Sequence, residues 1–307
     1  MFIDALIEKI EEKSSPICVG LDTILDYVPE FLVKESFKKE GKNLEGAARA
    51  IWKFNKEIIK NIKDLVPAVK LQLACYEMYG IDGIKVFHKT CRFARENGLL
   101  VIADGKRNDI GSSASFYAEA YLGKTSLGEG IEQEAFCVDA LTVNPYLGED
   151  GIKPFVDTCS KTGKGIFVLV KTSNKSSGQI QDLQVTRGGL VYERVGDLVK
   201  ELGNQLVGKH GYSSVGAVVG ATYPEQGKAL RENLKHTFFL VPGFGAQGAG
   251  VKDIKPLFDD KGRGAIINAS RSVMLAYRNE KYSKSFEEVD FAKAARAEVL
   301  SMREQLK

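Results

Sequence analysis

Residues 99–111 read LLVIADGKRNDIG, an apolar run from Leu99 to Ala103 followed at once by Asp104, Lys106 and Asp109. The run does not alternate apolar with polar residues, as a strand with one wet face would. It has the length and composition of a parallel strand covered on both faces. Seven further stretches repeat the pattern: PICVGLD (16–22), VPAVKLQ (66–72), FCVDALTVN (136–144), GIFVLVKTS (165–173), SSVGAVVGAT (213–222), TFFLVPGFG (237–245) and GAIINASR (264–271). Helical patterns lie between them, among them 44–62, 79–98, 187–211 and 224–234. Eight strand and helix alternations predict an α/β fold, a single (β/α)8 TIM barrel with loop insertions, over an open doubly wound sheet with fewer strands. Each run also ends in polar or glycine residues: Asp22, Lys70 with Gln72, Asp104 with Lys106, Asn144, Lys171 to Ser173, Thr222, Gln247 just past the seventh run, and Arg271. In a barrel those ends meet on one face, where the chemistry sits.

A length of 307 residues suits either two average domains or one barrel with additions. The strand count favours one domain over 1–307. An N-terminal helix at 1–13 and a C-terminal helix at 290–306 should pack on it, and the extra length falls at 33–43, 111–134 and 171–213. Lysine and arginine number 43 against 40 aspartates and glutamates, a net charge of +3. That balance argues against nucleic acid or a membrane surface as partner and makes any positive field local. The amino terminus, MFIDALIEKIEEKSS, is amphipathic and carries Asp4, Glu8, Glu11 and Glu12, so it reads as a helix and not as a signal peptide. No apolar run approaches the roughly 20 residues of a membrane span. Five cysteines without a C-x-x-C spacing read as reduced core residues of a cytoplasmic protein. His88, His210 and His236 lie away from every strand end and share no ligand spacing with the cysteines, so no metal site is expected.

Asp104 and Lys106, two apart on an extended strand, should project into one space where the strand ends. Taken alone, the pair fits an ordinary strand-end ion pair. Lys70, closing the neighbouring run, adds a second ammonium to the same mouth. Alternating ammonium and carboxylate groups keep one another ionised. Such a network suits delivery of a proton to a developing carbanion and does not suit Schiff-base chemistry, which needs a neutral lysine. In PGFGAQGAG (242–250) the glycines around Gln247 leave backbone N–H groups open to an anion, and Arg271 follows the eighth strand where a helix should begin. Loops after strands 7 and 8 are the common phosphate site of barrel enzymes, and a guanidinium fork matches phosphate oxygens.

Together, CVGLD ending in Asp22, the strand-end Lys70, the D-x-K-x-x-D-I string (Asp104, Lys106, Asp109, Ile110), VKTSN (170–174), PGFGAQGAG and NASRSV (268–273) resemble the orotidine 5'-phosphate decarboxylases. The likeness is to the longer, type 2 form, and runs from about residue 15 to 275. It implies conversion of orotidine 5'-monophosphate to uridine 5'-monophosphate and CO2, the last step of de novo UMP synthesis, with no cofactor. Lys106 would protonate C6, Asp104 would face the departing carboxylate, and Lys70 with Asp22 would hold ribose hydroxyls. Gln72 stands where relatives can carry Asn. Ser173 would bond the pyrimidine edge, and Gln247, Gly248, Ser270 and Arg271 would hold the phosphate. Asp109, Ile110 and Ser113 would reach into the partner's site across a homodimer interface. One alternative is a magnesium-dependent sugar-phosphate decarboxylase of the same superfamily. Such relatives bind the metal with a carboxylate from strand 2, where this chain has Lys70. The other is a non-catalytic barrel binding a phosphate ligand, which would be expected to lack one of Asp22, Lys70, Asp104 and Lys106.

Overall fold

The computed structural model describes residues 1–186, 188–245 and 250–306, and the eight expected strands close into a barrel. They are β1 (Ile17–Gly20), β2 (Ala68–Gln72), β3 (Leu100–Arg107), β4 (Ala140–Val143), β5 (Gly165–Lys171), β6 (Ser213–Val219), β7 (Thr237–Val241) and β8 (Ala265–Ala269). Each strand neighbours its predecessor in sequence, and β1 and β8 complete the ring. Ladders such as β1–β2, β2–β3, β4–β5 and β5–β6 are parallel. Every residue of β1, β4, β6, β7 and β8 is buried, which is why the apolar runs do not alternate.

The main helices are α1 (Phe2–Lys13), α2 (Glu30–Glu40), α3 (Leu44–Ile62), α4 (Gly80–Glu96), α5 (Gly111–Leu122), α6 (Lys153–Thr162), α7 (Val191–Gly203), α8 (Pro224–Asn233) and α9 (Phe291–Gln305). Local chemistry sets several starts. Asn43 Oδ1 accepts the Gly46 N–H at 2.9 Å and caps α3, while prolines stand in the first turns of α6 and α8. Two of the three insertions hold helices whose periodicity is weak. Only Leu32 and Ser36 of α2 are buried, and α5 buries Ala114, Ala118, Tyr121 and Leu122 while Phe116 stays exposed. A two-stranded antiparallel ladder, Thr125–Ser126 with Glu132–Gln133, follows α5. In the third insertion α7 is shorter than the 187–211 pattern, bounded by the glycine pair at 188–189 and a 3-10 turn at Asn204–Leu206.

The chain packs as two compact units. One comprises Met1–Glu8 and Lys106–Asn268. In it Phe2 meets Phe167 of β5 edge-on at 6.0 Å, and its N–H donates to the Gly163 carbonyl at 2.7 Å. Asp4 accepts the His210 N–H at 3.3 Å, so the start of α1 is fastened to β5 and to the turn before β6. The other unit comprises Lys9–Gly105 and the chain from Ala269 on. There Phe54 of α3 stacks on Phe291 of α9 at 5.0 Å, and Arg296 grips Asp64 through two bonds of 2.6 and 2.7 Å. Among the described residues no helix is long and apolar enough to cross a membrane.

Candidate active site

Lys70 stands opposite Gly20 in the β1–β2 ladder, and Gln72 stands opposite Asp104 in the β2–β3 ladder. These registers bring four expected residues together at strand ends. The Lys70 ammonium donates to Asp104 Oδ2 at 2.9 Å and to Asp22 Oδ1 at 3.1 Å, and Gln72 Nε2 donates to the same Asp104 oxygen at 3.2 Å. The Lys70 side chain is 5% exposed, Asp104 10% and Asp22 27%, so the attraction acts where water screens it weakly. Burial alone would lower the Lys70 pKa. The Asp104 and then the Asp22 charge overcome it and hold the ammonium above the ordinary lysine range. Lys70 is therefore a permanent cation.

Asp22 lies two residues beyond β1, on a segment held by a buried network. Tyr76 OH donates to the Leu21 carbonyl at 2.8 Å, and Thr23 Oγ1 donates to Asn55 Oδ1 at 2.7 Å. Asn55 Nδ2 in turn donates to Tyr76 OH at 3.0 Å, and Leu21 N–H donates to the Lys70 carbonyl at 2.7 Å. Thr23, Asn55 and Tyr76 are fully buried, so the backbone on both sides of Asp22 is fixed from the protein interior.

Strand β3 continues past Asp104 to Lys106, whose φ is +47°. Among the described residues only Ser14 and Glu129 are the other non-glycines at positive φ. Such a conformation costs roughly 1–2 kcal/mol and persists where surrounding contacts enforce it. Here the Lys106 N–H donates to Thr142 Oγ1 of β4 at 2.9 Å. Because the backbone at Lys106 is left-handed, strand alternation alone does not set the direction of its exposed side chain, as the sequence reading assumed. Asp109 Oδ1 accepts the Ile110 N–H at 2.8 Å at the entry to α5, with Ile110 and Ser113 both exposed.

Ser173 follows β5, is half-buried, and its carbonyl accepts from Thr222 Oγ1 at 3.0 Å. Ser270 and Arg271 follow β8, and a helical turn does begin at Arg271, which is exposed. After β7 the chain enters the glycine-rich loop with Gly245 at φ +70°, a left-handed turn that a side chain would strain. Gln247 and Gly248 lie outside the described residues. Contrary to the expectation that every histidine lies away from strand ends, His236 directly precedes β7 and its carbonyl accepts the Ser213 N–H at 2.7 Å, at the amino ends of the strands. His210 contacts Glu8 at 3.4 Å and His236 Nδ1 contacts the Gly211 carbonyl at 2.8 Å. Among the described residues no group of three or more His, Cys, Asp or Glu side chains is arranged to hold a metal ion.

Sequence reasoning missed Thr142, Asn55 and Tyr76. Two of them carried a signal: Thr142 is the one hydroxyl in the buried strand ALTV, and Asn55 interrupts the apolar stripe of α3. A polar group at a core position needs a partner, and these partners lie beside the functional strand ends.

Residues 15–286 match the model of the orotidine 5'-phosphate decarboxylase / HUMPS family. The chain belongs to that family. Within the orotidine 5'-phosphate decarboxylase / HUMPS family it is similar to the orotidine 5'-phosphate decarboxylase of Caldicellulosiruptor saccharolyticus, 44% identical over 99% of this chain and 97% of that one. It is 45% identical to the Caldicellulosiruptor bescii protein of the same name, over 92% of each. Among solved structures it resembles Leishmania donovani OMP decarboxylase, with a TM-score of 0.68 and 26% identity over 98% of both chains. The matched span holds every strand of the barrel and Asp22, Lys70, Asp104, Lys106, Asp109 and Arg271.

Proposed function

We propose that the chain decarboxylates orotidine 5'-monophosphate to uridine 5'-monophosphate and CO2, the last step of de novo UMP synthesis, as a cofactor-independent cytoplasmic enzyme. The observation that carries this reading is the Lys70 ammonium fixed between Asp22 and Asp104, with Asp104 two residues before Lys106 on β3. Loss of CO2 from C6 of the pyrimidine leaves an electron pair that no carbonyl can delocalise. The barrier must then fall through preorganised charge, each ~1.4 kcal/mol of differential stabilisation giving about tenfold in rate.

Lys106 supplies that charge and then the proton that C6 needs. Asp104 faces the departing carboxylate, and the like-charge repulsion vanishes as CO2 leaves. Lys70 pairs with Asp104 in that role, and Lys70 with Asp22 binds the ribose hydroxyls, with Gln72 beside them. Ser173 contacts the base edge. Ser270 and Arg271, with Gln247 and Gly248, hold the phosphate, whose remote binding energy helps to order the site around the reacting carbon. Residues 1–307 act as one barrel domain in this reading.

The active form is a homodimer in which Asp109, Ile110 and Ser113 serve the partner's site. Supporting this, Ile110, Phe116, Leu127, Ile131 and Tyr146 all stand exposed between residues 110 and 146, and Tyr146 is 83% exposed. Large apolar side chains left exposed are common at association surfaces. The magnesium-dependent alternative is disfavoured by Lys70, because a permanent ammonium at the end of β2 repels a divalent cation.

The test is loss of orotidylate absorbance on adding purified protein in the presence of EDTA. Turnover that persists with EDTA supports the proposal. No turnover under any condition, or turnover that requires added Mg²⁺, overturns it.

A further inference from the structure

Lys171 closes β5 where the ladder to β6 shifts register between Leu169 and Lys171, and it is wholly buried. Its ammonium lies 2.6 Å from Asp182 Oδ1, which also accepts from Gln226 Nε2 at 3.1 Å. The rings of Tyr223 and Tyr192 lie 4.5 and 5.5 Å from the ammonium, measured to their centroids. A buried cation is expensive to desolvate even when paired, and an apolar side chain would fill the same volume with no such penalty. A cation in this place therefore points to a geometric task. The ion pair draws residue 182 back onto residue 171 and closes the intervening segment into a loop that contains Ser173.

The loop is fastened from both sides. Within it, the Thr172 N–H donates to Gln181 Oε1 at 3.0 Å, and Gln181 Nε2 returns a bond to Thr172 Oγ1 at 2.7 Å. From the connection after β6, the Gly220 N–H donates to the Lys171 carbonyl at 2.8 Å, Thr222 Oγ1 to the Ser173 carbonyl at 3.0 Å, and Tyr223 OH to the Asn174 carbonyl at 3.2 Å. A Cβ at residue 220 would come within 2.8 Å of Ser173, so only glycine permits this approach. Tyr223 thus joins the two halves of the clamp, its ring against Lys171 and its hydroxyl on the loop. None of these contacts uses the Ser173 hydroxyl.

We propose that Lys171, paired with Asp182, is a positioning residue that presents the Ser173 hydroxyl to the pyrimidine edge of the substrate. The inference rests on the function proposed above. A polar contact in a site of this kind loses effect when displaced by about 1 Å, a shift that can lower rate by roughly a hundredfold.

A double-mutant cycle on the full-length protein tests it. Lys171→Met, Asp182→Asn and Ser173→Ala are made singly, and each of the first two is combined with Ser173→Ala. Two readouts are taken: kcat/KM for orotidine 5'-monophosphate, and competitive inhibition by ribose 5-phosphate, which has no base. Lys171→Met and Asp182→Asn should each lower kcat/KM by about tenfold or more while inhibition by ribose 5-phosphate stays within about twofold. In the Ser173→Ala background the same changes should add less than about twofold. Full multiplication of the effects, or a parallel loss of ribose 5-phosphate binding, overturns the positioning role. Asp182→Asn keeps the test open if Lys171→Met does not fold, because the Asp182 side chain is 34% exposed and its amide is isosteric. A wild-type protein without decarboxylase activity defeats the functional reading itself. An active wild type whose rate Ser173→Ala leaves unchanged defeats only the base contact and the clamp.

Discussion

The Lys106 N–H donates to Thr142 Oγ1 at 2.9 Å, so a residue in a left-handed conformation is held by a hydroxyl inside the adjacent strand. Val is close to Thr in shape but cannot accept that bond. Thr142→Val should cost about 1–3 kcal/mol of stability through the orphaned N–H, a few degrees in Tm. Turnover should fall by roughly tenfold to a hundredfold as Lys106 loses its fixed geometry. Thr142→Ser should restore most of the rate. Equal kcat in the Val and Ser variants would show that Thr142 does not position Lys106.

Lys70 has its pKa raised above the ordinary lysine value of 10.5 once the charges of Asp104 and Asp22 outweigh burial. A group raised in the folded state contributes its stabilisation in full below its unfolded pKa and loses it only as pH climbs through the folded value. The Lys70 contribution should therefore be constant from pH 6 to about 10. Lys70→Met removes the ammonium that pairs with both Asp104 and Asp22, at a cost of about 3 kcal/mol, the low end for a broken buried pair because Asp22 is partly wet. The variant should gain stability relative to wild type as pH falls toward the carboxylate range, since protonation removes the charges that the ammonium had paired with. Urea unfolding at several pH values measures both slopes, and identical slopes for the two proteins would falsify the assignment.

Lys106→Ala should remove turnover while leaving ribose 5-phosphate binding in place. If Asp109 serves the partner's site, mixing inactive Lys106→Ala with inactive Asp109→Ala protein should recover activity, because one site of each heterodimer has both residues intact. Verified subunit exchange without recovery would count against the shared site.

Tyr76→Phe removes a hydroxyl that donates to Leu21 and accepts from Asn55, both within the protein interior. The two orphaned partners should cost about 1–3 kcal/mol. Because Leu21 precedes Asp22, KM should rise more than kcat falls. A change in Tm with unchanged KM would confine the network to a structural role.

The fold was legible because a parallel barrel buries its strands on both faces, and eight uninterrupted apolar runs follow directly from that. The charged cluster was legible for a related reason: Lys70 and Asp104 terminate apolar runs, where strand ends come into register. The phosphate site proposed around the glycine loop and Arg271 rests on composition alone, glycines near an arginine. Thr142 and Asn55 were hidden because their partners are distant in sequence, and the partner of the strand-end Lys171 because it lies on an insertion. Asp182, for instance, has no periodic or motif signal, and only the closed loop gives it a task. The left-handed backbone at Lys106 was equally invisible, since no glycine marks the position.

Strand β3 is anchored at both Asp104 and Lys106: the Asp104 carbonyl accepts the Leu73 N–H at 3.2 Å, and the Lys106 N–H is held by Thr142. Gly105 alone separates the two anchors. The end of β3 therefore works as a ruler of fixed length, so adding or deleting a single residue there would detach one group from its support whatever its identity. Natural variation in chain length should accordingly stop short of the D-G-K triplet.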